Sequence, residues 1–166
     1  MRALHCEHTD RKGETLPYVS ASRPCSRQQR GDRTDRVIER EEFMSKRRIF
    51  VVEDQAAVRE GIVENLNRET DLSVCGEADD LQPALTAIQA AQPDLVLTDL
   101  QLKSSHGLQL IRELRRLYPA MPIIAMTMFD PIGYERQART SGATGFAVKQ
   151  EGASKLIEAI REALRH

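Results

Sequence analysis

From about residue 46 onward, short apolar runs alternate with longer stretches in which apolar residues return every three or four positions. The short runs suit strands buried in a sheet, and the second spacing suits helices with one packed face. Strands are predicted at Arg48–Val52, Ser73–Glu77, Leu95–Thr98, Pro122–Met126 and Gly145–Val148. The first helix, near Ala56–Arg68, carries Val58, Ile62, Val63 and Leu66 at helical spacing, and the second is capped by Asp79 or Asp80 and runs to Ala91. Pro83 falls in its first turn, where a missing N–H costs little. The third opens at Gly107, sets Leu108, Ile111, Leu114 and Leu117 on one face, and ends at Tyr118-Pro119. The fourth, near Ile132–Thr140, has the weakest apolar stripe and stops at Ser141-Gly142, while the fifth, Ala153–Leu164, shows Leu156, Ile157, Ile160 and Leu164 on one side. Five strand-helix repeats of this kind predict a doubly wound α/β domain, a sandwich about a mainly parallel sheet.

Residues before Met44 follow another pattern. They are rich in Arg, Asp, Glu, Ser, Gln and Gly, with few branched aliphatics, and such sequence cannot bury enough apolar area to offset its ordering entropy. Residues 1–44 are therefore read as a disordered or weakly helical extension and 45–166 as the folded domain. Within the extension, Arg33 to Glu42 has mixed charges that suit a solvated helix, and Cys6-Glu7-His8 is read as an ordinary polar cluster. MSKRRIFVVED from Met44 makes a natural domain start, so the preceding segment is read as an over-extended gene start, which mass spectrometry of the native N-terminus would settle.

The chain of 166 residues has a formal net charge of −1, which provides no broad attraction for nucleic acid or an anionic membrane. Its apolar runs fall well short of the roughly 20 residues that span a bilayer. The first residues lack the apolar middle of a secretory signal, and three scattered cysteines make no disulfide framework, so a reducing cytoplasm is expected. Cys75, in the second strand, is read as a small packing residue.

In open α/β sheets, ligands bind beyond the carboxyl ends of the strands, where the strand order reverses. At those ends stand Glu53 and Asp54, then Asp99, Thr127 and Lys149. Three carboxylates brought together repel unless a cation favours their ionised forms, and oxygen ligands in a partly hydrated pocket suit Mg²⁺. No His or Cys stands with them, which points away from zinc. A carboxylate is also a nucleophile toward phosphorus, so Asp99 can accept a phosphoryl group while Lys149 and the Thr127 hydroxyl bind its oxygens. Taken singly, each residue has an ordinary reading: a polar strand end, a turn aspartate, a turn hydroxyl, a surface lysine. Their joint placement on one rim carries the functional reading.

These residues resemble the receiver domains of bacterial two-component response regulators over about Lys46 to His166. IFVVED carries the acidic pair, LVLTDL carries Asp99, IIAMT carries Thr127, and GATGFAVK carries Lys149 with an aromatic at Phe146. VREGIVENL, GEADD, MTMFD and KQEGASKLIEAIREAL are similar to the NarL/FixJ branch, whose members usually continue into a DNA-binding helix-turn-helix domain. The resemblance implies a flavodoxin-like (βα)5 fold with sheet order 2-1-3-4-5, and a Mg²⁺ site formed by Glu53, Asp54, Asp99 and the backbone carbonyl of Gln101. It further implies a phosphohistidine donor on a sensor histidine kinase or phosphotransfer protein. Thr127 and Phe146 are then the switch residues, remodelling the face of the fourth helix, fifth strand and fifth helix for a downstream protein or a second copy.

The chain departs from the family at several positions. Leu102-Lys103 stand where Met-Pro is common, which predicts a looser loop with an added positive charge, and Gln150 replaces a frequent proline after Lys149. Met128 is larger than the small residue usual after Thr127 and is expected to shield part of the phosphoryl group. His106 is read as a solvent-facing loop residue. A phosphorylation-independent interaction module and a fragment of a DNA-binding regulator remain alternative readings. A phosphohydrolase needs a second aspartate where Gln101 stands, and the amide cannot do that acid-base work.

Overall fold

A computed structural model describes residues 46–128 and 131–165, and of Pro131 and Ile132 only the backbone. The expectations for residues 1–44, including the helix at Arg33 to Glu42, the Cys6-Glu7-His8 cluster and the start at Met44, lie outside the described residues. The described chain runs β1 (Arg47–Val52), α1 (Ala56–Asn67), β2 (Leu72–Ala78), α2 (Leu81–Ala91), β3 (Leu95–Asp99), α3 (Gly107–Leu117), β4 (Ile123–Thr127), α4 (Pro131–Ser141), β5 (Gly145–Val148) and α5 (Ala153–Ala163), with a short 3-10 turn at Lys149–Glu151. The strands form one parallel sheet in the order β2-β1-β3-β4-β5. The order reverses between β1 and β3, so the carboxyl ends of these two strands flank the crevice.

Alternation along each strand supplies two cores. Phe50 and Val52 of β1 join Val96, Ala125, Leu110, Ile111 and Leu114 on the side of α2, α3 and α4, whereas Ile49 and Val51 join Leu97, Ile124, Met126, Leu66 and Ile160 on the side of α1 and α5. A strand buried on both faces must be apolar throughout, which is why the strand runs lack polar alternation.

Element boundaries follow local chemistry. Asp80 is the N-cap of α2, its carboxylate accepting from the Leu81 N–H at 2.8 Å. Pro122 lies outside β4, yet its carbonyl still accepts from Val96 N–H at 3.1 Å, because proline retains the acceptor while lacking the donor. Gly142 follows α4 with φ 110°, a conformation that favours glycine.

The apolar faces of two helices differ from expectation. Leu66 is the buried residue of α1, with Ile62 and Val63 only partly covered; a hollow of about 190 Å³, lined by Val58 and Ile62 of α1 and by Leu156 and Ile157 of α5, lies between the two helices. Leu117, placed by its spacing on the buried face of α3, is 47% exposed because it is the final helical residue. Cys75 is half-buried where the β1–β2 register shifts, and burial pushes its thiol up from the ordinary range. No helix among the described residues is long and apolar enough to cross a membrane.

Candidate functional site

β1 ends in Val52, so Glu53 and Asp54 emerge at the reversal point beside Asp99, the last residue of β3. One carboxylate oxygen from each of Glu53, Asp54 and Asp99 lies within 4.8 Å of the others, a spacing that one cation can bridge. Lys149 enters from the end of β5. Its ammonium donates to the Asp99 Oδ2 atom at 2.6 Å and to Glu53 Oε2. The three side chains of this ion-pair set are nearly sealed: Lys149 is 7% exposed, Asp99 5% and Glu53 0%.

Burial pushes the Glu53 carboxyl above its ordinary value, and the Asp99 charge adds to the rise. The Lys149 ammonium and the Gln55 N–H pull in the other direction by favouring the ionised form. Three carboxyl groups face one ammonium in this shielded site, so their ionised forms call for further positive charge. Asp54 adds an independent observation: its Oδ1 is buried and has no hydrogen-bond partner among the described residues. Such an orphan costs free energy unless a ligand satisfies it. The donor set, all oxygen, together with that orphan, fits Mg²⁺.

The other residues named from the sequence are on the same rim. Thr127 ends β4, is almost fully buried, and pairs in register with Val148, directly before Lys149. The Gln101 N–H donates to Asp99 Oδ1 at 3.2 Å, which brings its backbone beside the site while its side chain is exposed. Phe146 is half-buried, packed on one side against the core under α2, α3 and α4 and bordering a surface hollow with Glu151, Lys155, Glu158 and Glu162. Met128 is 42% exposed.

The loop after Asp99 is attached to the fold at three points. Leu102 is buried in the core, Gln101 and His106 form an antiparallel bridge, and Ser105 Oγ donates to the Asp80 carboxylate. Lys103, in the same loop, is exposed. The peptide joining Lys149 to Gln150 is trans, and Gln150 Nε2 donates to the Met128 carbonyl at 3.1 Å, linking the loops after β4 and β5.

Sequence reasoning missed three supports of the site. Gly107 is required where it stands, since a Cβ there would lie 1.9 Å from the Asp99 carbonyl oxygen. Its N–H meets the Leu100 carbonyl at 3.0 Å, closing the loop against β3. Asp80 holds Ser105, and Arg59 holds the Glu53 carbonyl. Asp80 and Gly107 showed only as helix-start signals, and nothing in the local sequence singled out Arg59.

A protein-family model for the response regulator receiver domain matches residues 49–161. The chain is 32% identical over 120 residues to the transcriptional regulatory protein YxjL of Bacillus subtilis (strain 168), covering 72% of this chain and 55% of that protein. A two-component response regulator of the LuxR family from Aurantimonas sp. SI85-9A1 superposes with a TM-score of 0.70 at 30% identity, covering 73% of this chain and 86% of that one. The signal receiver domain of NarL from Mycobacterium tuberculosis gives a TM-score of 0.68 at 29% identity, covering 73% of this chain and 98% of that one. The chain spans about half the length of the curated relatives it matches. With the order β2-β1-β3-β4-β5 and an acidic cluster at its reversal point, this chain belongs to the response regulator receiver domain family.

Proposed function

We propose that this receiver domain, residues 45–166, takes a phosphoryl group onto Asp99 in a Mg²⁺-dependent reaction and signals through the face of α4, β5 and α5. The observation that carries the proposal is the convergence of Glu53, Asp54 and Asp99 around a buried orphan oxygen, with Lys149 bound to two of them. Glu53, Asp54, Asp99 and the Gln101 carbonyl would hold the ion. When bound, Mg²⁺ supplies charge neutralisation to a phosphoryl oxygen.

The chain's own residues do the rest. The donor is a phosphohistidine on a sensor histidine kinase or phosphotransfer protein. An Asp99 carboxylate oxygen attacks phosphorus, forming a P–O bond as the P–N bond breaks; the electron pair leaves on the imidazole nitrogen, which takes a proton. Lys149 already stands against Asp99 and needs only to shift its contact from carboxylate to phosphoryl oxygen. The Thr127 hydroxyl binds another oxygen, and this new contact biases Thr127 and Phe146 toward a second arrangement. Phe146 is suited to this, being packed on one side and open on the other. The output is a downstream protein or a second copy of the chain docking on the remodelled face. The domain itself is read as a cytoplasmic switch, not an enzyme, with no membrane or nucleic-acid contact of its own.

The test is backbone NMR with Mg²⁺ and acetyl phosphate, or a beryllofluoride mimic, on wild type and Asp99→Ala. Shifts around Asp99, Thr127, Phe146 and Lys149 are expected in wild type only. Equal responses in both proteins, or none in either, would assign the chain to a phosphorylation-independent interaction module.

A further inference from the structure

Arg59 lies in the first turns of α1, close to the acidic pair in the chain, and its guanidinium bridges two elements. Nη1 donates to the Glu53 carbonyl at 2.7 Å, and Nε donates to Glu77 Oε2 on β2 at 3.2 Å. The Glu53 N–H is itself held by the Ala78 carbonyl at 3.0 Å, at the end of the same strand. The main chain of Glu53 is therefore pinned at both its donor and its acceptor, and the pinned carbonyl belongs to the peptide that leads into Asp54. The Gln55 side chain makes no cap on α1, and that residue contributes to the junction only through its N–H, which donates to Glu53 Oε1 at a long 3.4 Å.

We infer that Arg59 is a positioning residue for the divalent-cation site, acting through the Glu53–Asp54 peptide. The inference rests on the Mg²⁺ reading proposed above. Fixing that peptide limits the directions in which the Asp54 carboxylate can point, and its Oδ1 is the orphan at the site. A charge-assisted bond at 2.7 Å from a side chain only 21% exposed is strong enough to impose such a restraint. Outer residues that orient ligands typically change metal affinity 10- to 100-fold when removed.

Two other roles predict different results. If Arg59 mattered only as a positive charge near the carboxylates, removing it would tighten Mg²⁺ binding by relieving repulsion. If it served stability alone, the folded variant would bind Mg²⁺ as wild type does.

The experiment measures Mg²⁺ affinity by calorimetric titration of the full chain in wild type, Arg59→Ala, Arg59→Lys and Asp54→Ala, with thermal unfolding recorded for each. It also follows amide hydrogen exchange at Glu53 and Gln55, whose N–H groups donate to the Ala78 carbonyl and to Glu53 Oε1, without metal. Arg59→Ala is expected to weaken Mg²⁺ binding about tenfold and to speed exchange at both amides. Arg59→Lys should recover part of each effect, since an ammonium can still donate to the carbonyl. Unchanged or tighter Mg²⁺ binding in folded Arg59→Ala, or unchanged exchange in the metal-free protein, overturns the inference. Absence of Mg²⁺ binding in wild type instead removes the cation reading itself, and the exchange measurement still decides whether Arg59 orders the junction.

Discussion

The Lys149 ammonium lies 2.6 Å from the Asp99 carboxylate, joining residues 50 positions apart in the chain across the ends of β3 and β5. β4 lies between these strands, so the contact spans the sheet rim above Thr127. Lys149 partly compensates a site that otherwise contains only negative groups. Its removal leaves Glu53 and Asp99 buried without a cation. Lys149→Met is expected to lower stability by about 3 kcal/mol in urea unfolding at neutral pH with a chelator present. Added Mg²⁺ should restore part of the loss, and phosphorylation by acetyl phosphate should fall sharply in the same variant.

Gly107 tests how closely the loop must approach Asp99. Any side chain at this position collides with the Asp99 carbonyl oxygen, a backbone atom that cannot swing aside as a side chain would. Gly107→Ala is expected to cost about 1–3 kcal/mol through overpacking. It should also disturb the amide resonances of Asp99, Leu100 and Gln101, measured by heteronuclear NMR.

Asp80 couples the cap of α2 to the loop after β3. Its carboxyl is held below the ordinary aspartate value of 3.8, chiefly by the Ser105 hydroxyl and then by the Leu81 N–H. A depressed folded value means that the unfolded chain takes up a proton first as pH falls. The stabilisation is therefore complete above about pH 3.8 and declines as pH drops through the lower folded value. Asp80→Ala should lose about 1 kcal/mol at neutral pH and show a flatter acid limb. Ser105→Ala should move the Asp80 titration upward, readable by carboxyl NMR.

Leu114 and Leu117 share the apolar stripe of α3 but not its burial. Leu114 is fully enclosed, and Leu114→Ala is expected to cost about 2–5 kcal/mol. Leu117→Ser should stay within about 0.5 kcal/mol, because that side chain is already largely in water. Parallel denaturant titrations would check the contrast.

Much was legible in the chain because strand burial and helix amphipathicity are local patterns. The five strand runs between Arg47 and Val148 and the five helices recur within one or two residues of their expected ends. The rim residues were legible too, since a strand followed at once by an acid, a hydroxyl or an ammonium marks its own carboxyl end. Glu53, Asp54, Asp99, Thr127 and Lys149 all stand there.

What only tertiary structure decided were contacts between residues distant in sequence. Leu102 reads as a departure in a loop, yet it drops into the core beneath α2 and α3. Leu117 reads as core, yet the helix ends before the sheet can cover it. Arg59 carries no reading from its own stretch of sequence, and it is the packing of β1 beside β2 that brings the Glu53 carbonyl and Glu77 to its guanidinium. Periodicity specifies which way a side chain faces within its own element. Whether anything meets it there depends on where the other elements come to rest, and that is a property of the packed sheet rather than of any short stretch of residues.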